Sequence, residues 1–141
     1  MRRFKLEVKL EETLNECETL LAKGQESELL RVLSKTSRLL QCYFPAGHSL
    51  ALKNAHLTAM AFFNTNSHER CETLLEKHER SLESGVTRQR EQEAYLAIFK
   101  LLLGRLSLKK GRLLRAKKKL KNGLKIAAEI ADLEGLAVKR N

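Results

Sequence analysis

Residues 95–127 read YLAIFKLLLGRLSLKKGRLLRAKKKLKNGLKIA. Apolar residues recur at helical spacing on both sides of Gly111 with no proline between them, so the stretch predicts two helices joined at that glycine. One such hairpin cannot bury its apolar face alone, whereas hairpins packed on one another can. The same register recurs upstream. Cys17, Ala59 and Gly104 are equivalent points, 42 and then 45 residues apart. Seven residues after each stand Gly24, Asn66 and Gly111, where a turn takes the left-handed backbone that Gly and Asn adopt most easily. Twelve residues after each stand Leu29, Cys71 and Ala116, and sixteen after each stand Leu33, Leu75 and Leu120. A helix hairpin written three times predicts an all-α antiparallel hairpin array, an α-solenoid. An irregular helical bundle is the alternative that the same leucines allow.

Helices are expected over about 7–23, 26–43, 49–63, 68–83, 88–108 and 112–129, with a short seventh from Asp132. Residues 1–5 read as frayed. Gly24, Pro45 with Gly47, Gly85 and Gly111 separate the segments, and Ser67 and Thr87 are candidate N-caps. The expected hairpins are about 7–44, 48–84 and 87–129, followed by a partial capping helix at 132–139, all in one domain covering 1–141. Ile130, Leu133, Leu136 and Val138 need cover. They fold back as a cap, self-associate through 130–138, or meet further domains of a longer protein.

A hydrophobic fraction of 43% argues against global disorder. No apolar run approaches the roughly 20 residues that span a bilayer, and the basic start lacks the apolar core of a signal peptide. Cys17, Cys42 and Cys71 are far apart, as expected of reduced, packed thiols in a cytoplasmic or nuclear protein. The net charge of +10 is unevenly placed. Residues 100–141 hold 13 Lys/Arg against 3 Asp/Glu, and the first 99 residues balance. An electrostatic partner is therefore expected at the C-terminal third.

Gly104, Gly111, Ala116 and Leu120 resemble the small and apolar signature positions of a tetratricopeptide repeat. Lys100 stands where an aromatic residue is usual, and Ser107 replaces the usual Tyr. The repeat spacing is similar to the kinesin-light-chain type, with Ala46-Gly47-His48 at a linker. The stretch Tyr43-Phe44-Pro45-Ala46-Gly47-His48 also resembles a linker in the C-terminal helical domain of SET–MYND proteins, whose catalytic and zinc-binding residues are not in this chain. These resemblances imply a helical scaffold, without methyl transfer.

No GxSxG, GxxxxGK[ST] or HExxH motif occurs, so no enzyme is expected, and no cofactor. His68 and Cys71, extended by His78, could offer at most three ligands on one helix face. Cys71 reads instead as a small packing residue, and no metal site is expected. His48 reads as a linker or cap residue and His56 as a surface histidine. In a tetratricopeptide-like stack the first helix of each hairpin lines a concave groove. That places Glu11, Leu14 and Glu18 in the first hairpin, Lys53, His56, Phe63 and Asn64 in the second, and Leu101, Arg105 and Lys109 in the third, with Arg105 and Lys109 orienting the carboxylates of a peptide. The sixth helix adds a basic patch of Arg112, Arg115, Lys117, Lys118, Lys119, Lys121 and Lys125, almost purely cationic on its polar side. It suits a solvated face, an acidic protein surface, or phosphates of nucleic acid or anionic membrane. The expected function is a protein-interaction scaffold gripping a peptide or helix of acidic character. The alternative is a nucleic-acid-binding helical protein using residues 112–125.

Overall fold

The computed structural model describes the backbone of residues 2–140 and the side chains of residues 3–133. Six helices follow one another: α1 (Arg2–Ala22), α2 (Glu26–Tyr43), α3 (Ser49–Asn64), α4 (His68–Glu83), α5 (Arg90–Lys109) and α6 (Leu113–Arg140). There is no strand among the described residues, in keeping with the all-α hairpin array expected.

The turns after α1, α3 and α5 are built alike. Gly24, Asn66 and Gly111 have φ of 72°, 60° and 74°, and Asn66 is the one non-glycine with positive φ among the described residues. Their amides donate three residues back, to the carbonyls of Leu21, Phe63 and Leu108 at 3.1, 3.3 and 3.1 Å. The next amides donate five residues back, to Leu20, Phe62 and Ser107 at 3.0, 2.8 and 2.8 Å. This pair of bonds is the Schellman closure, which satisfies carbonyls that a helix end leaves open.

Burial follows the same register. Cys17, Ala59 and Gly104 are buried, and so are Leu29, Cys71 and Ala116 twelve residues on. Small residues let the paired helices approach. The Cys71 thiol donates to the Ala59 carbonyl at 3.3 Å. A Cβ on Gly104 would meet Leu120 Cγ at 2.6 Å and the Leu120 amide nitrogen at 3.3 Å. One on Gly123 would meet Leu101 Cγ at 2.9 Å and the Ala97 carbonyl at 3.1 Å.

The chain packs as two compact units, one ending at Leu74 and one beginning at Leu75. In the first, Leu10, Leu14 and Cys17 of α1 meet Leu29, Leu33 and Leu40 of α2 and Leu50, Leu57 and Ala61 of α3. The buried Asn54 amide donates to the Leu33 carbonyl at 3.2 Å, so its polar head is not left unpaired. His48 caps α3: its Nδ1 accepts the Leu50 amide at 3.1 Å. That leaves the ring proton on Nε2, which faces Glu7 Oε1 at 3.1 Å.

Four local expectations are corrected. The start of α1 is helical from Arg2 rather than frayed to residue 5. Contacts distant in sequence hold it: the Arg3 guanidinium lies 5.2 Å over the Phe44 ring, and Glu7 reaches His48. Thr87 does not cap α5; the helix starts at Arg90 behind Gln89, whose amide donates to Gln92 Oε1 at 2.9 Å. Arg88 stays outside the helix, paired with Glu93 at 2.7 Å and donating to the Leu82 carbonyl at 3.2 Å. No seventh helix starts at Asp132, because α6 runs unbroken through 129–132, where neither glycine nor proline interrupts it.

Gly104→Ala is expected to lower the unfolding free energy by about 1–3 kcal/mol, the cost of overpacking, because the new methyl meets a Leu120 branch point and backbone. Asn66→Ala should cost about 1–2 kcal/mol through left-handed strain, and Asn66→Gly should cost nothing. Equilibrium urea unfolding of the three variants checks both statements.

Candidate functional site

The second unit sets an acidic helix against the cationic one. Along the part of α4 in this unit, Glu76, Glu79 and Glu83 alternate at three and four residues, so they share one face. Glu79 is buried at its centre. Its Oε2 accepts from Lys100 Nζ at 3.1 Å, and Lys119 Nζ straddles both oxygens at 2.7 and 2.9 Å. Lys100 also lies 3.5 Å from Glu83. One turn before Lys119, Arg115 donates to Glu76 Oε1 at 2.9 Å. The side chains of Lys100 and Glu79 are only 7% and 6% exposed, so this is an interior ion cluster and not a screened surface pair. Burial pushes the Glu79 carboxyl up, but hydrogen bonds from Lys119 and Lys100, with their charges, more than offset it and hold the group below its ordinary 4.5.

The cluster divides the cations of α6 into two sets. Arg115 and Lys119, half-buried, face α4. Lys117, Lys118, Lys121 and Lys125 are exposed and have no carboxylate partner among the described residues. They lie on the side of the helix away from the buried Ala116 and Gly123. Leu114, 87% exposed, and Leu124, 60% exposed, share that outer face, and Arg112 is exposed just before the helix. Neighbours such as Lys117 and Lys121 repel by a few tenths of a kcal/mol. The close contacts at Gly104 and Gly123 hold α6 in place in spite of this.

The groove residues fare unevenly. Lys53 pairs with Glu18 at 2.7 Å and donates to Asn15 Oδ1 at 2.8 Å. His56 is half-buried rather than a surface residue; burial pushes its imidazole down, and Glu18 opposes the shift. Asn64 is exposed at the end of α3. Phe63, only 7% exposed, is a core residue whose ring lies 6.2 Å from that of His68. Leu14 is fully buried as well. Leu101 is half-buried against Gly123 within the α5–α6 hairpin. Arg105 and Lys109 are exposed on α5, one turn apart. The structure thus brings Lys53 and His56 together beside Glu18. It withdraws Leu14 and Phe63 from the surface, because helical periodicity marks apolar residues without telling a core wall from a groove wall.

Of the candidate metal trio, the Cys71 thiol is bonded to Ala59, and the His68 ring faces Phe63. The His78 ring packs 5.8 Å from that of Phe99, and burial, with Lys77 beside it, pushes its imidazole down. Among the described residues no three His, Cys, Asp or Glu side chains gather to hold a metal ion. No described helix is long and apolar enough to cross a membrane. All three cysteines are free, but only Cys17 and Cys71 are packed, while Cys42 is exposed. In the 130–138 segment Ile130 is half-buried and Leu133 exposed; the side chains from 134 onward lie outside the described residues.

Sequence reasoning missed Glu76, Glu79 and Lys100. The signal was present in the acidic stripe of α4, spaced to meet cations one turn apart on α6. Comparison with known protein families, with curated proteins and with solved structures finds no match to this chain.

Glu79→Gln leaves the buried Lys100 with only the exposed Glu83 carboxylate, 3.5 Å away, as a counter-charge, and its expected cost is about 3 kcal/mol. The pKa of Glu79 is lower folded than unfolded. Its contribution is therefore complete above about 4.5 and is lost as pH falls through the folded value. Urea unfolding between pH 3 and 7 (roughly the carboxylate range and above) should show a stability loss on acidification that the Gln variant lacks in part.

Proposed function

We propose that this chain is a non-enzymatic protein-interaction scaffold built of tetratricopeptide-like helical hairpins, and that it engages acidic partners through the outer face of α6. The observation that carries this reading is the set of four lysines, Lys117, Lys118, Lys121 and Lys125, without carboxylate partners among the described residues and beside exposed Leu114 and Leu124. Charge would steer a partner and fix its register, and the leucines would supply area to bury. Arg105 and Lys109 add exposed cations on α5 of the same unit. Within the second unit, the close α5–α6 approach and the ion cluster hold α6 in place, which lowers the ordering cost of binding. Free thiols fit a cytoplasmic or nuclear setting.

Phosphate contact by the same lysines is the second reading. It lacks aromatic residues beside the lysines, since Tyr95 and Phe99 lie on α5 and Phe99 is fully buried.

Affinity capture with mass spectrometry, run with the wild type and with Lys117→Glu/Lys121→Glu, separates the two. The scaffold reading expects acidic proteins that survive nuclease treatment and fall at least about tenfold with the variant. Capture that nuclease removes, with oligonucleotide retention dropping steeply as salt rises, supports phosphate contact instead. Arg105→Glu/Lys109→Glu is expected to weaken the same partners by a smaller factor.

A further inference from the structure

The inner flank of α6 already shows how this helix receives carboxylates. Arg115 and Lys119, one turn apart, take Glu76 and Glu79, three residues apart on α4, at 2.9 and 2.7 Å. The outer flank repeats the pattern with no carboxylate of the described residues against it: Lys117, Lys121 and Lys125 follow at one-turn steps, with Lys118 beside them. Leu114 and Leu124 are exposed on the same face, ten residues or about 15 Å apart along the axis. That is the length of roughly three helical turns. Leucines add nothing to a phosphate contact, whereas side chains on a packed helix would cover them.

We infer that the outer face of α6 docks an acidic amphipathic helix, its carboxylates spaced at three and four residues to meet Lys117, Lys121 and Lys125 and its apolar residues covering Leu114 and Leu124. This rests on the scaffold reading and adds the form of the partner. The docked helix repeats outside what α4 does inside: one row of carboxylates against one row of cations. Specificity then lies in the period of the carboxylates and not in their number.

The test uses the full chain and a fluorescein-labelled peptide of about 20 residues, long enough to hold a helix, with glutamates at three- and four-residue steps flanked by leucines. A scrambled peptide of the same composition, its glutamates wound evenly round the helix, and a short single-stranded oligonucleotide complete the set. Fluorescence anisotropy is expected to show the patterned peptide binding at least about tenfold tighter than the scrambled one. Lys117→Glu/Lys121→Glu should remove at least about tenfold of that affinity, and Leu114→Ser/Leu124→Ser several-fold, with unchanged helical circular dichroism. Equal affinity for both peptides overturns the inference while leaving an acidic-partner scaffold standing. Unchanged affinity of the lysine variant puts the site elsewhere and overturns it too. Binding of the oligonucleotide with neither peptide, or of no probe at all, overturns the scaffold reading as well.

Discussion

Glu79 sits nearly out of reach of water between two ammonium groups, 3.1 Å from Lys100 and 2.7 Å from Lys119. A single carboxylate buried this far would be costly, and so would a single buried lysine. Together they tie α4 to both helices of the last hairpin. The same arrangement dictates the surface. Lys119 and Arg115 are drawn inward to α4, so among the described residues of α6 the exposed cations are Lys117, Lys118, Lys121 and Lys125. The face proposed to bind is thus what remains after the structural pairing has been made.

The hairpin closures supply the other constraint. Each of the three turns needs one left-handed residue, and each returns two amides to the preceding helix in the same pattern. This fixes the angle at which the second helix leaves the first. A buried small residue, Cys17, Ala59 or Gly104, precedes each turn by seven positions. Turn geometry and close approach therefore come as a pair, and the α5–α6 hairpin carries the extreme form, with glycines on both helices.

The turns were legible in the sequence because their cause is local: Gly24, Asn66 and Gly111 are among the few residues that tolerate positive φ without strain. Six of the expected helices follow for the same reason. The long-range contacts were not legible. Nothing near Arg2 says that Phe44 and His48 will hold the first turn of α1. Lys100 read only as a departure from an aromatic position and is a buried ammonium in an ion cluster. Phe63 and Leu14 had the spacing of groove residues, but the spacing is the same for a core. The α6 patch was visible as seven cations in a row of helix. Its division into Arg115 and Lys119 on one side and the exposed lysines on the other depends on where the α4 carboxylates lie, which local pattern does not determine.

Both the stability of the second unit and the proposed binding surface depend on the division of α6, and lysine reactivity reads it residue by residue. Brief acetylation of the native chain, followed by peptide mass spectrometry, compares every lysine in one sample. The account predicts rapid modification of Lys117, Lys118, Lys121 and Lys125, with Lys100 and Lys119 protected at least about tenfold until the chain is unfolded. Modification of Lys100 and Lys119 at the rate of Lys117 and Lys121 in the native protein would contradict it.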